Sequence, residues 1–159
     1  MTPPSKSPRT PDAAAAELRE LLCFNFYLGW RAIQAFYKVR FEAGMNPQRM
    51  YTLAICDQRL PTTMSQIAAS LQIDLPAVLA LVARMEDDGL LVTRRSAIDR
   101  RIIEVHLTAA GTATRNRHDS LLRAADEQLF DKHVRTQDMQ ALRRVVQGIV
   151  ESLKSRDAQ

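Results

Sequence analysis

The residues whose chemistry is easiest to interpret are four arginines clustered around one aspartate. Together they carry four positive charges and one negative charge, against a net charge of +4 for the whole chain. Positive charge concentrated on a protruding loop attracts a phosphate backbone or a narrow minor groove. The alternative is a solvated loop with ordinary surface arginines, in which the aspartate braces the loop. The five residues are Arg94, Arg95, Asp99, Arg100 and Arg101.

The segments on either side of this cluster predict a β-hairpin. Leu90 to Arg95 reads as one strand and Ile102 to Leu107 as its partner. In the second strand apolar residues alternate with Glu104 and His106, which is the period of a half-buried strand. The arginines would therefore lie on the loop of a basic hairpin.

Two short amphipathic helices are predicted before the hairpin. Thr63 and Gln66 have the spacing of a capping box, and Asp74 is suited to cap a second helix that ends at Gly89. Apolar residues recur at helical spacing in both segments; they are Ile67, Ala68, Leu71, Val78, Leu81, Val82 and Met85. This order predicts a mainly α protein with a small β-wing, a winged helix-turn-helix.

The same residues carry a resemblance to a known family. The runs ARMEDDGLL at Ala83–Leu91, DRR at Asp99–Arg101 and LTAAG at Leu107–Gly111 resemble the DNA-binding core of the multiple-antibiotic-resistance regulator (MarR) family. The resemblance extends from about Leu18 to Leu153. It implies a homodimeric regulator, usually a repressor, that binds a pseudo-palindromic double-stranded DNA operator and is released by a small, often aromatic, ligand.

The predicted recognition helix departs from the family. Relatives commonly carry Ser, Thr and Arg where this chain has Leu75, Pro76, Ala77, Leu79 and Ala80. Direct base readout needs hydrogen-bonding groups or contact with the thymine methyl. We therefore expect specificity from methyl contacts, helix position and DNA shape, or else a helix that contacts protein or ligand. Gln72 stands in the turn where relatives often have Gly, at a cost of about 1 kcal/mol if its φ is positive.

The predicted DNA contacts combine the wing, the recognition helix and the start of the first helix of the pair. Arg101 matches the last position of the family's wing motif and is assigned to the minor groove. Arg84 either reaches phosphate or pairs with the acidic residues that follow it. The full set is Ser65, Gln66, Leu75, Pro76, Ala77, Leu79, Arg84, Arg94, Arg95, Arg100 and Arg101.

The flanking segments predict dimerisation arms. Residues 1–11 read as a disordered basic tail, 12–46 as an N-terminal dimerisation helix, 47–107 as the DNA-binding domain and 108–159 as C-terminal dimerisation helices. One helix is predicted from Asp12 to Glu42, another from Asn46 to about Gln58, a third from Thr108 to about Asp131 and a last one from Thr136. The last has apolar residues at three-four spacing, suited to a helical seam: Met139, Leu142, Val146, Ile149 and Leu153.

An effector site is expected near the dimer interface, by the family resemblance. Aromatic side chains with one or two arginines would suit a small aromatic carboxylate, which pairs bidentately with guanidinium. The alternative is that Trp30 and Tyr37 are core or interface residues, which is the commoner role at helical spacing, and that His118 is a structural histidine. The candidates are Trp30, Arg31, Tyr37, Arg40, Arg49, Tyr51 and His118.

Cys23 suggests a different signal. It lies in an LCF run that resembles the start of organic-hydroperoxide sensors of the same family, with Tyr27 and Tyr37 at matching offsets. Asn46 replaces a further tyrosine of those sensors and would leave a thiolate less supported. The alternative is an inert buried cysteine.

Other classes of function are disfavoured. The chain has no glycine-rich phosphate loop, HExxH or GxSxG, and its histidines are scattered, so we expect neither an enzyme nor a metal or other cofactor. The longest apolar run, from Leu21 to Trp30, is too short to span a bilayer. We expect a cytoplasmic protein, and the remaining alternative is a protein-interaction module that kept the winged fold.

Overall fold

A computed structural model describes residues 10–56, 60–125, 127 and 134–157. The chain divides into two compact units, residues 1–49 and 50–159, which are described separately. Most of the predicted basic tail lies outside the described residues.

The first unit contains two helices where the sequence predicted one. Helix α1 spans Pro11–Arg19 and α2 spans Leu22–Lys38. The prediction of a continuous helix from Asp12 to Glu42 is wrong because Leu21 adopts an extended conformation (φ −83°, ψ 128°). The Asn25 side-chain amide stabilises the break by donating to the carbonyls of Arg19 (2.7 Å) and Leu21 (2.9 Å). The Arg19 carbonyl lies at the end of α1, where helix carbonyls lack intrahelical partners, and the Leu21 carbonyl also accepts from the Asn25 backbone N–H (3.2 Å).

Helix α3, Pro47–Ile55, begins where the sequence predicted. The Asn46 side-chain oxygen accepts from the Arg49 backbone N–H at 2.9 Å, as an N-cap residue does. The helix ends before the predicted limit at Gln58, which lies outside the described residues.

The predicted helix pair is present in the second unit. Helices α4 (Met64–Leu71) and α5 (Leu75–Asp87) are bent by 111° at the turn between them, within the range of helix-turn-helix motifs. Both halves of the Thr63–Gln66 capping box form, and the Asp74 carboxylate accepts from Ala77 N–H at 2.7 Å. No single described helix is long and apolar enough to cross a membrane; only this bent pair passes, by length and composition alone.

A three-stranded antiparallel sheet completes the winged domain. Strands β2 (Leu91–Arg95) and β3 (Ile103–Leu107) form the predicted hairpin, and β1 (Thr62–Thr63) pairs with the other edge of β3. The sequence did not predict β1, where Thr62 lies opposite Val105 and Thr63 opposite Glu104. Thr63 therefore belongs to the sheet and caps α4 at the same time.

The core of the second unit lies between this sheet and the helix pair. Ile67 of α4, Val78, Val82 and Met85 of α5 and Val105 of β3 are all completely buried. The predicted inward faces of both helices are correct at these positions, whereas Ala68 and Leu71 are only half-buried. Because α4, α5 and β3 share this core, the wing is fixed against the helix pair.

Helix α6 spans Ala109–Ala125 and is attached to the start of the wing. The Thr108 hydroxyl donates to the Gly89 carbonyl (2.6 Å) and accepts from the Gly111 N–H (2.9 Å). Gly89 has φ +70°, so it supplies the left-handed residue predicted at the end of α5. The predicted end of α6 near Asp131 lies outside the described residues.

The last helix, α7, spans Thr136–Asp157 and begins where predicted. Its large apolar side chains are exposed in the single chain. They are Met139, Leu142, Val145, Val146, Ile149 and Leu153.

Gln72 at the end of α4 is left-handed, with φ 56° and ψ 41°. Replacing Gln72 by Gly is expected to raise the free energy of unfolding by about 1 kcal/mol, because glycine adopts this conformation without a Cβ clash. Urea denaturation measures the change. Gln72→Ala retains the Cβ and should give no stabilisation; equal gains from both variants would contradict the strain explanation.

Candidate nucleic-acid interface

Arg101 and Asp99 form an ion pair at the tip of the wing. The Arg101 guanidinium donates to both carboxylate oxygens of Asp99, from Nε (3.1 Å) and Nη2 (3.0 Å), and the Arg101 backbone N–H donates to Oδ1 (3.0 Å). These hydrogen bonds, led by those from the side chain, hold the pKa of Asp99 below its ordinary value. The Arg101 side chain remains 91% exposed. Asp99 thus braces the loop while Arg101 projects into solvent in a fixed orientation.

The other wing arginines have different roles. The Arg95 guanidinium donates to the Arg100 carbonyl at 2.9 Å and so closes the loop from inside the hairpin. The guanidinium groups of Arg94 and Arg100 form no hydrogen bond or ion pair with any described residue. Since the charge of Arg101 is balanced by Asp99, Arg94 and Arg100 are the side chains most available to phosphate.

Ser65 and Gln66 lie in the first turn of α4, where both are exposed. Gln66 is less available to phosphate than the sequence suggested, because its side-chain oxygen accepts from the Thr63 N–H at 2.8 Å. The Ser65 side chain forms no hydrogen bond with another described residue, and it lies where backbone N–H groups favour an anion.

Arg84 forms a hydrogen bond within its own helix, and its contact with phosphate stays a prediction. Its Nε donates to the Ala80 carbonyl within α5, at 3.1 Å. Glu86, a proposed ion-pair partner, instead accepts from the Thr93 N–H of β2 at 2.6 Å. Glu86 therefore joins α5 to the wing, and the structure gives no support for an ion pair with Arg84.

The start of α4, the helix α5 and the wing, all predicted to contact DNA, border one groove of about 530 Å³. It brings together Ser65, Leu75, Leu79 and Arg101 from the predicted set, while Pro76 and Ala77 are exposed nearby on α5. Four further lining residues were not predicted as site residues: Thr63, Met64, Ile102 and Ile103. The alternation in β3 predicted that Ile103 would face the core, but only Val105 is buried.

The predicted effector residues divide between the two units. In the first, Tyr37 is buried and stacks on Phe41 with ring centroids 4.7 Å apart. The Arg40 guanidinium lies 3.6 Å from the centre of the Phe36 ring, and Arg49 donates to the Gly44 carbonyl at 3.0 Å. In this unit Trp30, Arg31 and Arg40 are the exposed candidates, and the Arg31 guanidinium lies 6.0 Å from the centre of the Tyr27 ring.

In the second unit, Tyr51 is exposed on α3 and His118 is buried on α6, with 1% of its surface accessible. Burial favours the structural interpretation of His118. Among the described residues, no group of three or more His, Cys, Asp or Glu side chains could hold a metal ion.

The two cysteines have contrasting environments. Cys23 is an exposed free thiol on α2, and Cys56 is a buried free thiol. Burial raises the pKa of the Cys56 thiol to about 11, against the opposing effects of Arg115 and a hydrogen bond with Thr62. The burial considered from the sequence for Cys23 is therefore wrong, and the reactivity of Cys23 stays a prediction.

The Cys56 thiol predicts a loss of stability at high pH. Below pH 9 the thiol is protonated in both states; between pH 9 and 11 the unfolded chain ionises while the folded chain does not. The free energy of unfolding should fall by roughly 2 kcal/mol across this range from this group. Urea denaturation of the wild type and Cys56→Ala isolates the effect, because lysines and tyrosines titrate equally in both proteins. Parallel pH profiles would contradict it.

Comparison with known proteins agrees with this geometry. Residues 43–102 match the MarR family. The HTH-type transcriptional regulator MgrA of Staphylococcus aureus is 30% identical over 93 residues, which cover 57% of this chain and 63% of MgrA. The matched part thus spans less than two thirds of this curated relative.

Solved structures share the fold over most of the chain. CouR, known from Rhodococcus jostii RHA1, has been solved on a 23-mer DNA duplex; it is 26% identical, with a TM-score of 0.71 over 84% of this chain and 94% of CouR. Bordetella bronchiseptica BpsR, whose DNA binding is regulated by 6-hydroxynicotinic acid, is 14% identical, with a TM-score of 0.71 over 90% of this chain and 97% of BpsR. The curated relative is a transcriptional regulator and not an enzyme. With its capped helix pair, basic wing and these matches, the chain has a winged helix-turn-helix fold and is similar to the MarR family over residues 43–102.

Proposed function

We propose that this protein is a DNA-binding transcriptional repressor that binds a pseudo-palindromic operator as a homodimer. The observation that carries the proposal is the groove in which the start of α4, the exposed face of α5 and the wing meet. A helix pair and an adjacent basic hairpin can contact neighbouring grooves of one duplex. CouR, which shares the fold, has been solved on DNA.

The homodimer is supported by apolar surface that one chain leaves uncovered. Helix α7 exposes a row of large apolar side chains, and α2 exposes others, including Tyr27, Leu28 and Trp30. Helices of this kind need a partner surface, and a second copy arranged with two-fold symmetry supplies one. Two wings on one dimer would match the two halves of a pseudo-palindrome.

DNA binding is tested with a duplex of about 23 base pairs from the region upstream of the protein's own gene. Fluorescence anisotropy at salt concentrations from about 50 to 200 mM should show affinity falling steeply as phosphate contacts are screened. No binding at the lowest salt would overturn the regulator proposal and favour the interaction module.

Arg101→Ala should weaken operator binding and lower the slope of log affinity against log salt by roughly one unit for each phosphate that the side chain neutralises in a half-site. The side chain is exposed, and its removal also frees the Asp99 carboxylate to repel phosphate. Anisotropy titrations at several salt concentrations measure the slope. Arg19→Ala removes the same charge from α1 and should change nothing. An unchanged slope for Arg101→Ala would exclude Arg101 from the interface.

We also propose that a small aromatic carboxylate releases the DNA. Exposed Trp30 and Arg31 of α2 offer aromatic surface and a guanidinium, and the 6-hydroxynicotinic acid that regulates BpsR is an aromatic acid. Thermal shift with benzoate, 4-hydroxybenzoate and 6-hydroxynicotinate should identify a stabilising ligand, because binding to the native state raises the melting temperature. A stabilising acid that leaves DNA affinity unchanged would contradict the release proposal.

The exposure of Cys23 favours a second candidate signal, an organic hydroperoxide. The thiolate would attack the peroxide, forming a sulfenic acid while the hydroperoxide is reduced to an alcohol. Cumene hydroperoxide should then release DNA from the wild type but not from Cys23→Ser. Insensitivity of the wild type would end this candidate.

A further inference from the structure

We propose that this protein recognises DNA sequence mainly through the C5-methyl groups of pyrimidines, which enter the groove between α5 and the wing. This inference rests on the proposed DNA-binding function and specifies its chemistry. The methyl-reading groove is defined by four side chains: Leu75 and Leu79 of α5, Ile102 and Ile103 beside it.

Each of these side chains is large, apolar and substantially exposed. Leu75 and Leu79 are both 44% exposed, Ile102 40% and Ile103 38%. They converge from two separate elements on one groove instead of being scattered over the surface. Apolar surface gathered in this way marks a binding site more often than an isolated exposed leucine does.

The outward face of α5 has no hydrogen-bonding side chain near its N-terminus. Pro76, Ala77 and Ala80 lie between and beside the two leucines, and all three are exposed. Such a helix cannot read the donors and acceptors of base edges, but the thymine methyl in the major groove is recognised by apolar contact. The only base feature that these side chains can select is therefore a methyl group.

Charge around the groove favours DNA over an apolar protein partner. Arg101 is the one charged residue among the described residues that line it; its guanidinium is paired with Asp99 but stays 91% exposed. Ser65 lies at the same border, in the first turn of α4, where backbone N–H groups favour an anion. An apolar surface edged by a cation and a helix N-terminus suits a nucleotide, whose methyl is apolar and whose phosphate is anionic.

The test uses two alternating duplexes with equal charge, poly(dA-dT) and poly(dA-dU), which differ only in the pyrimidine methyl. Removing one buried methyl costs roughly three- to fourfold in affinity. If two or more methyls are buried, the wild type should prefer the thymine duplex about tenfold at equal salt. In alternating inosine–cytosine duplexes, 5-methylation of cytosine should raise affinity in the same way.

Variants assign the preference to the groove. The double variant Leu75→Ala, Leu79→Ala should bind both duplexes with the affinity that the wild type shows for the uracil duplex. Val39→Ala trims an apolar side chain that is 78% exposed on another part of the chain, so it should keep the full preference. Melting temperatures of all three proteins show whether folding is retained, which is expected since neither leucine is buried.

The outcomes separate this inference from the proposed function. Equal, salt-dependent binding of the thymine and uracil duplexes would overturn methyl recognition and leave the regulator intact. Absence of binding to every duplex at about 50 mM salt would overturn both. A preference that persists in the double variant would overturn the assignment to this groove.

Discussion

Introducing aspartate at both Val146 and Ile149 is expected to convert the protein to a monomer and to weaken operator binding by at least roughly a hundredfold. Both side chains lie on the exposed apolar face of α7. Burying two carboxylates in an apolar interface is unfavourable, so the dimer should dissociate. A dimer that binds both half-sites at once has an affinity higher by on the order of a hundredfold or more, and a monomer lacks this increase.

Size-exclusion chromatography with light scattering measures the mass, and anisotropy the affinity. Because the substituted positions are exposed in the single chain, helical content by circular dichroism should be unchanged. Gln140→Asp with Gln147→Asp is the matched control, since it changes the charge equally at two other exposed positions on α7. A double variant that remains dimeric would show that α7 is not the dimer seam.

Gly111→Ala is expected to reduce the free energy of unfolding by about 2–3 kcal/mol. A Cβ at this position would fall well inside contact distance of the Leu90 carbonyl oxygen and 3.4 Å from a methyl group of Leu107. The backbone of Leu90 is held by hydrogen bonds from Thr108, so it cannot move away without cost. Overpacking of this kind typically costs 1–3 kcal/mol.

The control makes the same substitution where space is open. Gly148 on α7 has no atom within 4 Å of its would-be Cβ, so Gly148→Ala should raise the free energy of unfolding by roughly 0.5–1 kcal/mol through helix propensity alone. Urea denaturation of both variants measures the two changes in the free energy of unfolding, which should have opposite signs. A Gly111→Ala protein as stable as the wild type would contradict the close approach of α6 to the wing.

Much of the winged domain follows from local sequence. The Thr63–Gln66 capping box and Asp74 mark helix starts because their side chains accept hydrogen bonds from backbone N–H groups a few residues away. Gly89 marks a helix end because it has no side chain to hinder a positive φ. The spacing of Val78, Val82 and Met85 fixes the buried face. These features could be predicted because they need no knowledge of distant residues.

What could not be predicted depends on residues far apart in the chain. Strand β1 is two residues long and exists only because β3 offers it an open edge. The break between α1 and α2 at Leu21 could not be predicted because the sequence has no proline or glycine there. The groove is lined by both Leu79 and Ile102, and the sequence alone does not indicate that these residues share one site.

Thr63 links two parts of the molecule that would otherwise be adjustable, since it is a strand residue on one side and a helix cap on the other. In the proposed dimer each DNA-binding domain is thus one rigid unit, because the wing cannot move without moving the helix pair. We therefore expect an effector to act by changing the separation of the two DNA-binding domains, so that they no longer fit successive turns of the duplex.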